Sequence, residues 1–325
     1  MYVKRSIAEG WGTPIVAFGV LLGVWAERGG VEPEAWTALP GVLVSTLILR
    51  RLAVVDALIR VRSWMPMSLF MLLMAMPAWF QSVGTWQVVM VAYVVSLYFL
   101  LGSYEEPHAE YRLLASGLAL GVACVVYPSL FVLAIAYIVS MGVHLRVLRL
   151  RSLMGFLIGL FTPLWLWVVG CMTCGQWDFL RAFRQEIVAL EYVGRAWIPV
   201  GVGLVMLYWI VLYVTGAFHY VLTCFDDKIR TRMCIYVLVI QSAVLFMLLF
   251  LQADRYMEIG AMLSLTLAPI VGHFVVLSEG RGASVWCVAL LVMYAALTAV
   301  PMETLSPLMD ELFEIVLRGE VMLKS

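Results

Sequence analysis

Charge is what this chain has least of. Only 13% of its 325 residues are Asp, Glu, Lys or Arg, about half the share in an ordinary soluble domain, while 64% are hydrophobic. The 21 basic and 21 acidic residues cancel, so the basic excess that binds nucleic acid is missing. Zinc-ligand spacings and Gly-rich phosphate loops are missing as well, which excludes nucleotide-fuelled soluble chemistry. The long apolar runs lack the two-residue alternation of a membrane barrel strand. No small-residue cleavage site follows the first run, where Glu27 and Arg28 come directly after Trp25 and Ala26, so it reads as a retained span rather than a signal peptide.

What the sequence does have is a series of apolar stretches near the roughly 20 residues that cross about 30 Å of hydrocarbon. Eleven are recognised, at 14–26, 36–55, 64–80, 86–102, 112–126, 128–143, 153–172, 198–222, 233–251, 258–277 and 283–300. The expected fold is therefore all-α, a polytopic bundle of about eleven spans over 1–300. Tyr127-Pro128 separates the fifth run from the sixth, because proline can open a helix but cannot continue one. A tight helical hairpin fits that stretch better than one long span.

Positive charge sets the expected orientation. With the N-terminus inside, 14 of the 21 Lys and Arg fall on the cytoplasmic face and seven outside, the bias of an inner-membrane protein. Acidic residues divide 8 inside and 13 outside, so the two faces carry +6 and −6. Tryptophans cluster near the run ends, where amphipathic rings favour the headgroup level. Two polar stretches read as amphipathic helices on the outer leaflet. One spans 176–196, with a stripe of Leu180, Phe183, Ile187 and Leu190; the other is the C-terminal 301–325.

Candidate chemistry is sparse. Glu27, Glu32 and Glu34 lie within eight residues in the first outer loop, where a carboxylate can act as general base for a sugar acceptor or bind a divalent ion before a lipid phosphate. Acidic outer loops also arise from topology alone. Asp254, Arg255 and Glu258 form a compact group between the ninth and tenth runs, read either as a solvated ion pair or as a clamp in which Arg255 holds a lipid phosphate. Arg181 and Arg184 face the same leaflet. His219 and His273 sit within spans near their cytoplasmic ends, and carbonyl or interfacial-water partners are expected for them. Cys171 and Cys174 form an isolated CxxC, read as two small residues at a helix end rather than a metal site; no metal site is expected and no cofactor is indicated.

The stretch from Tyr111 to Ala123, with Gly117 and Gly121, then Tyr127-Pro128-Ser129-Leu130, an arginine-rich turn and Gly155 to Pro163, resembles the short-helix module of polytopic glycosyltransferases of the C-type fold. The same pattern over most of the chain resembles an uncharacterised family of inner-membrane proteins of Bacteroidota. The resemblance implies sugar transfer from a polyprenyl-phosphate carrier at the outer face, with the first-loop glutamates as bases. Those transferases carry aspartate in that loop, where this chain has only glutamates. A non-catalytic subunit for envelope biogenesis or secretion is the second expectation, and a transporter the third.

Cysteine-accessibility labelling tests the orientation. Probes at 144–151, where His144, Arg146, Arg149 and Arg151 crowd one turn, are expected to react only from the cytoplasm, and probes at 173–197 only from outside. Outside reactivity of the arginine-rich turn overturns the whole arrangement.

Overall fold

The computed structural model describes residues 10–30, 36–55, 58–61, 63–175 and 200–299, together with 177, 178, 181 and 183. Among these, every regular element is helical. We number the main helices α1 (Gly12–Gly29), α2 (Leu39–Arg50), α3 (Met65–Ala75), α4 (Thr85–Gly102), α5 (Glu110–Val126), α6 (Phe131–Val143), α7 (Leu150–Thr173), α8 (Val200–Thr223), α9 (Ile229–Leu251), α10 (Tyr256–Leu277) and α11 (Arg281–Ala299). Each coincides with one of the eleven apolar runs. Six of them, α4 and α7 to α11, are long and apolar enough to cross a membrane. The expectation of eleven spans thus becomes, among the described residues, eleven main helices of which six have the length and composition of a crossing: α2, α3 and α6 have 12, 11 and 13 residues. At 1.5 Å per residue these reach less than about 20 Å. Two of the apolar runs change geometry before they finish. The second ends in a π-helical turn over Arg51–Val55, and the third in a 3-10 turn over Ala78–Gln81. The 301–325 helix and most of 176–196 lie outside the described residues.

The predicted break at Tyr127 is present. Tyr127 is extended, at φ −135° and ψ 92°, and Pro128–Leu130 forms a 3-10 turn that opens α6. This return lets α5 and α7 run parallel and pack on each other through glycine. Gly117 and Gly121 on α5 face Gly155 and Gly159 on α7, and a Cβ at Gly159 would sit 2.2 Å from the Leu114 carbonyl oxygen. At Gly117 it would sit 2.2 Å from that of Phe156. In lipid, where apolar surface alone does not drive association, such small-residue stripes let backbones meet closely. Ser96 of α4 and Ser116 of α5 join the cluster by exchanging hydroxyl-to-carbonyl bonds of 2.8 and 2.9 Å.

Helix α10 is the core of the bundle. Every residue from Glu258 to Phe274 is buried, by contacts with α3, α4, α8 and α9. Gly260 admits the Trp209 ring and Gly272 admits Pro66. Helix α7, in contrast, exposes Ile158, Phe161, Trp165 and Leu166, a stripe suited to lipid. Several buried hydroxyls on the helices bond back one turn, as Thr46 does to Val42 and Ser264 to Gly260, so these need no partner from outside. Some tryptophans depart from the interfacial pattern. Trp25 and Trp86 stand near helix ends but are enclosed by protein.

Gly117→Val and Gly159→Val are each expected to lower unfolding stability in detergent by about 3 kcal/mol or more, since backbone on the partner helix cannot yield. Gly19→Ala, with nothing within 4 Å, is the control and is expected to change stability by less than about 0.5 kcal/mol. Thermal unfolding of the three variants decides it; unchanged stability in the first two would show that the glycine contact is not structural.

Candidate functional site

The alternating helices segregate charge to two ends. Arg60, Arg112, Arg146, Arg149, Lys228 and Arg232 share one end. There Arg60 reaches the Asp226 carbonyl at 3.3 Å and Arg112 the Glu106 carboxylate at 2.6 Å. Arg28 and Arg255 belong to the other end. Central helix α10 carries a buried ionisable residue toward each: Glu258 in its first turn and His273 near its last. Fifteen residues apart, they are separated by about 22 Å along the helix axis.

At the arginine-rich end, α8 stops at Thr223, the chain makes a 3-10 turn over Cys224–Asp226, and Asp227 is turned inward before α9 begins. Its Oδ2 lies 2.8 Å from His273 Nε2, with both side chains essentially excluded from solvent at 1% and 0%. A carboxylate only accepts, so Nε2 carries the shared proton. The remaining atoms of the pair, Asp227 Oδ1 and His273 Nδ1, are buried and have no hydrogen-bond partner. Around the pair, Tyr220 stacks edge-on to His273 with centroids 5.1 Å apart while its hydroxyl bonds the Arg232 carbonyl. His219 packs edge-on against His273 at 5.8 Å and Phe274 at 5.2 Å.

Asp227 and His219 open onto a polar cavity of about 380 Å³, whose wall also includes Arg60, Thr223, Asp226, Leu277 and Glu279. That volume falls in the range of small-molecule sites. The wall can accept hydrogen bonds through the carboxylates of Asp226 and Glu279 and donate them through one guanidinium, with the buried Asp227–His273 pair directly behind it. No group of three or more His, Cys, Asp or Glu side chains among the described residues is arranged to hold a metal ion.

At the opposite end, Arg255 lies 3.6 Å from Glu258, and its guanidinium sits over the Tyr127 ring at 5.7 Å. Glu258 Oε1 accepts a 2.6 Å bond from the Thr85 hydroxyl at the start of α4. The Tyr127 hydroxyl bonds Gln252. The predicted ion pair is therefore present, with Glu258 buried in it. Glu27 is exposed on the last turn of α1; Glu32, Glu34 and Arg184 lie outside the described residues. Arg181 is exposed and pairs with Asp178 at 3.6 Å. Cys171 is buried and Cys174 exposed, and both are free thiols.

Sequence reasoning marked both histidines and missed their partner. His273 is satisfied by a carboxylate rather than a carbonyl. The available signal was Asp226-Asp227-Lys228, a short acidic break directly after a span that already carries His219, but the 46-residue separation of Asp227 from His273 is closed only by the tertiary fold. Compared with known proteins, the chain matches no family model, no curated protein and no solved structure.

His273→Ala strands a buried carboxylate and is expected to cost about 3–5 kcal/mol in detergent unfolding. Replacing both partners, by Asp227→Leu with His273→Leu, is expected to recover most of that loss. A double variant as unstable as the single one would show that the pair itself supplies the stability.

Proposed function

We propose that this integral membrane protein is a group-transfer enzyme that takes the hydroxyl or amino group of an amphiphile into the cavity at its arginine-rich end and removes a proton there. The observation carrying this reading is Asp227. One of its oxygens is fixed by His273, while the other is buried without a hydrogen-bond partner in a residue that lines the cavity. An O–H or N–H donor is the complement of that oxygen. As the donor attacks the carbonyl carbon of an activated acyl co-substrate, its proton passes to the carboxylate, the co-substrate's leaving group departs with the bonding pair, and the His273 N–H keeps the carboxylate oriented. Arg60, the guanidinium on the same wall, is held on the Asp226 carbonyl and so fixes the shape of the opening. The charge segregation supports an inner-membrane location with the N-terminus and this cavity on the cytoplasmic side.

Sugar transfer from a polyprenyl-phosphate carrier is the second reading, set at the opposite face. There Glu27, Glu32 and Glu34 would supply the base, with Arg255, Arg181 and Arg184 on the phosphate. Its support is Arg255, whose side chain remains 36% exposed beside Tyr127 and so is able to meet a headgroup. In a non-catalytic subunit for envelope biogenesis or secretion, both ends would serve only to join helices.

Lipid mass spectrometry of membranes overproducing each variant separates these readings. Asp227→Asn and His273→Gln are expected to abolish a lipid change that the parent protein produces, while Glu27→Gln with Arg255→Gln preserves it. The reverse pattern moves the chemistry to the opposite face. A lipid profile indifferent to both pairs sinks the enzyme reading, provided all variants reach the membrane in equal amount.

A further inference from the structure

The cavity is not the only opening beside α10. A second, apolar space of about 320 Å³ lies between α3, α8, α10 and α11, walled by residues such as Met65, Leu69, Leu212, Val275 and Leu291. Helix α11 forms its outer side and is a loosely held member of the bundle, with only 11% of its crossing window buried. What holds it is mostly polar. Trp286 Nε1 bonds the Thr215 hydroxyl at 3.2 Å, the Tyr294 hydroxyl bonds the Leu72 carbonyl at 3.1 Å, and Arg28 reaches the Thr298 carbonyl at its far end. The helix is thus pinned along its length while leaving an apolar gap beneath it, at the depth of lipid chains.

The gap and the cavity share one seam. On α8, Leu212 lines the gap and His219, on the same face two turns or about 10 Å further along, lines the cavity. A chain lying in the gap would therefore bring whatever it carries to Asp227. The cavity wall then selects the head. Three carboxylates, Asp226, Asp227 and Glu279, face one guanidinium, Arg60, whose fork is already directed at the Asp226 carbonyl. Such a wall disfavours a phosphate or carboxylate and favours a cation, and the unpartnered Oδ1 of Asp227 asks for a hydrogen-bond donor.

We infer that the apolar gap beneath α11 admits the hydrocarbon chain of a membrane lipid from the bilayer, and that the lipid bears an amino or hydroxyl head that docks on Asp227. This rests on the cavity being the site of action and names the substrate class it serves.

The test uses the full-length protein in nanodiscs with two diazirine probes of matched chain length, photoactivatable sphingosine with an amino-diol head and photoactivatable fatty acid with a carboxylate head. Sphingosine labelling is expected at least five-fold above fatty-acid labelling, on peptides from α3 and α11. Val288→Trp with Leu291→Trp, two exposed positions at the gap, is expected to remove most of it. Asp227→Asn, or the exposed Glu279→Gln, is expected to erase the head preference. Equal labelling by the two probes, or labelling that survives the tryptophans, overturns the inference. If labelling behaves as expected while Asp227→Asn leaves the lipid profile unchanged, the protein binds such lipids without acting on them, and only the enzyme reading falls.

Discussion

A helix buried on all sides has to have its polar atoms answered by its neighbours, and α10 is buried on all sides from Glu258 to Phe274. In hydrocarbon the penalty for leaving such atoms unanswered is several kcal/mol each. The neighbours are placed accordingly. Thr85 begins α4 where Glu258 begins α10, and the chain between α8 and α9 turns so that Asp227 meets His273. Midway, Ser242 of α9 gives its proton to Thr266, which bonds back to Leu263. Where side chains would obstruct this arrangement, glycine stands instead: Gly216 against Ile270, and Gly260 against Trp209.

The two ends of α10 differ in how far this satisfaction is carried. Glu258 has a hydroxyl and a guanidinium, and its surroundings form a closed network running through Arg255, Tyr127 and Gln252. The Asp227–His273 pair answers itself with one contact and leaves an atom of each partner over, beside open volume. The first arrangement is what joining helices requires. The second leaves hydrogen-bonding capacity unused directly behind a cavity wall, which is why the candidate site is put there.

Much of the architecture was legible because hydrophobicity alone writes it. Each apolar run became a helix, and the proline at 128 ended one helix and opened the next for the covalent reason expected. Run length was a poorer guide to crossing, since the runs at 64–80 and 36–55 spend part of their length in 3-10 and π turns. The site was legible in halves. A histidine inside a span announces itself; the aspartate that completes it looks, in sequence, like any acidic residue in a loop. The tryptophans at 25 and 86 show the same limit, because an aromatic ring near a helix end has the same sequence context whether lipid or protein covers it. Gly117, Gly121, Gly155 and Gly159 were visible as a pattern, but that the two pairs face each other depends on α6 returning the chain.

That dependence bears on how the protein is made. The α5–α7 contact joins two parallel helices with α6 between them in the chain, so it cannot form as each emerges next to its predecessor. Thirteen-residue α6 must first be accepted as a reversal, and α7 must follow in the orientation that α6 dictates. An α6 that slipped back out during synthesis would present the α7 glycines upside down to those of α5. A glycine-lined contact between two long helices is thus entrusted, during biogenesis, to the 13-residue α6.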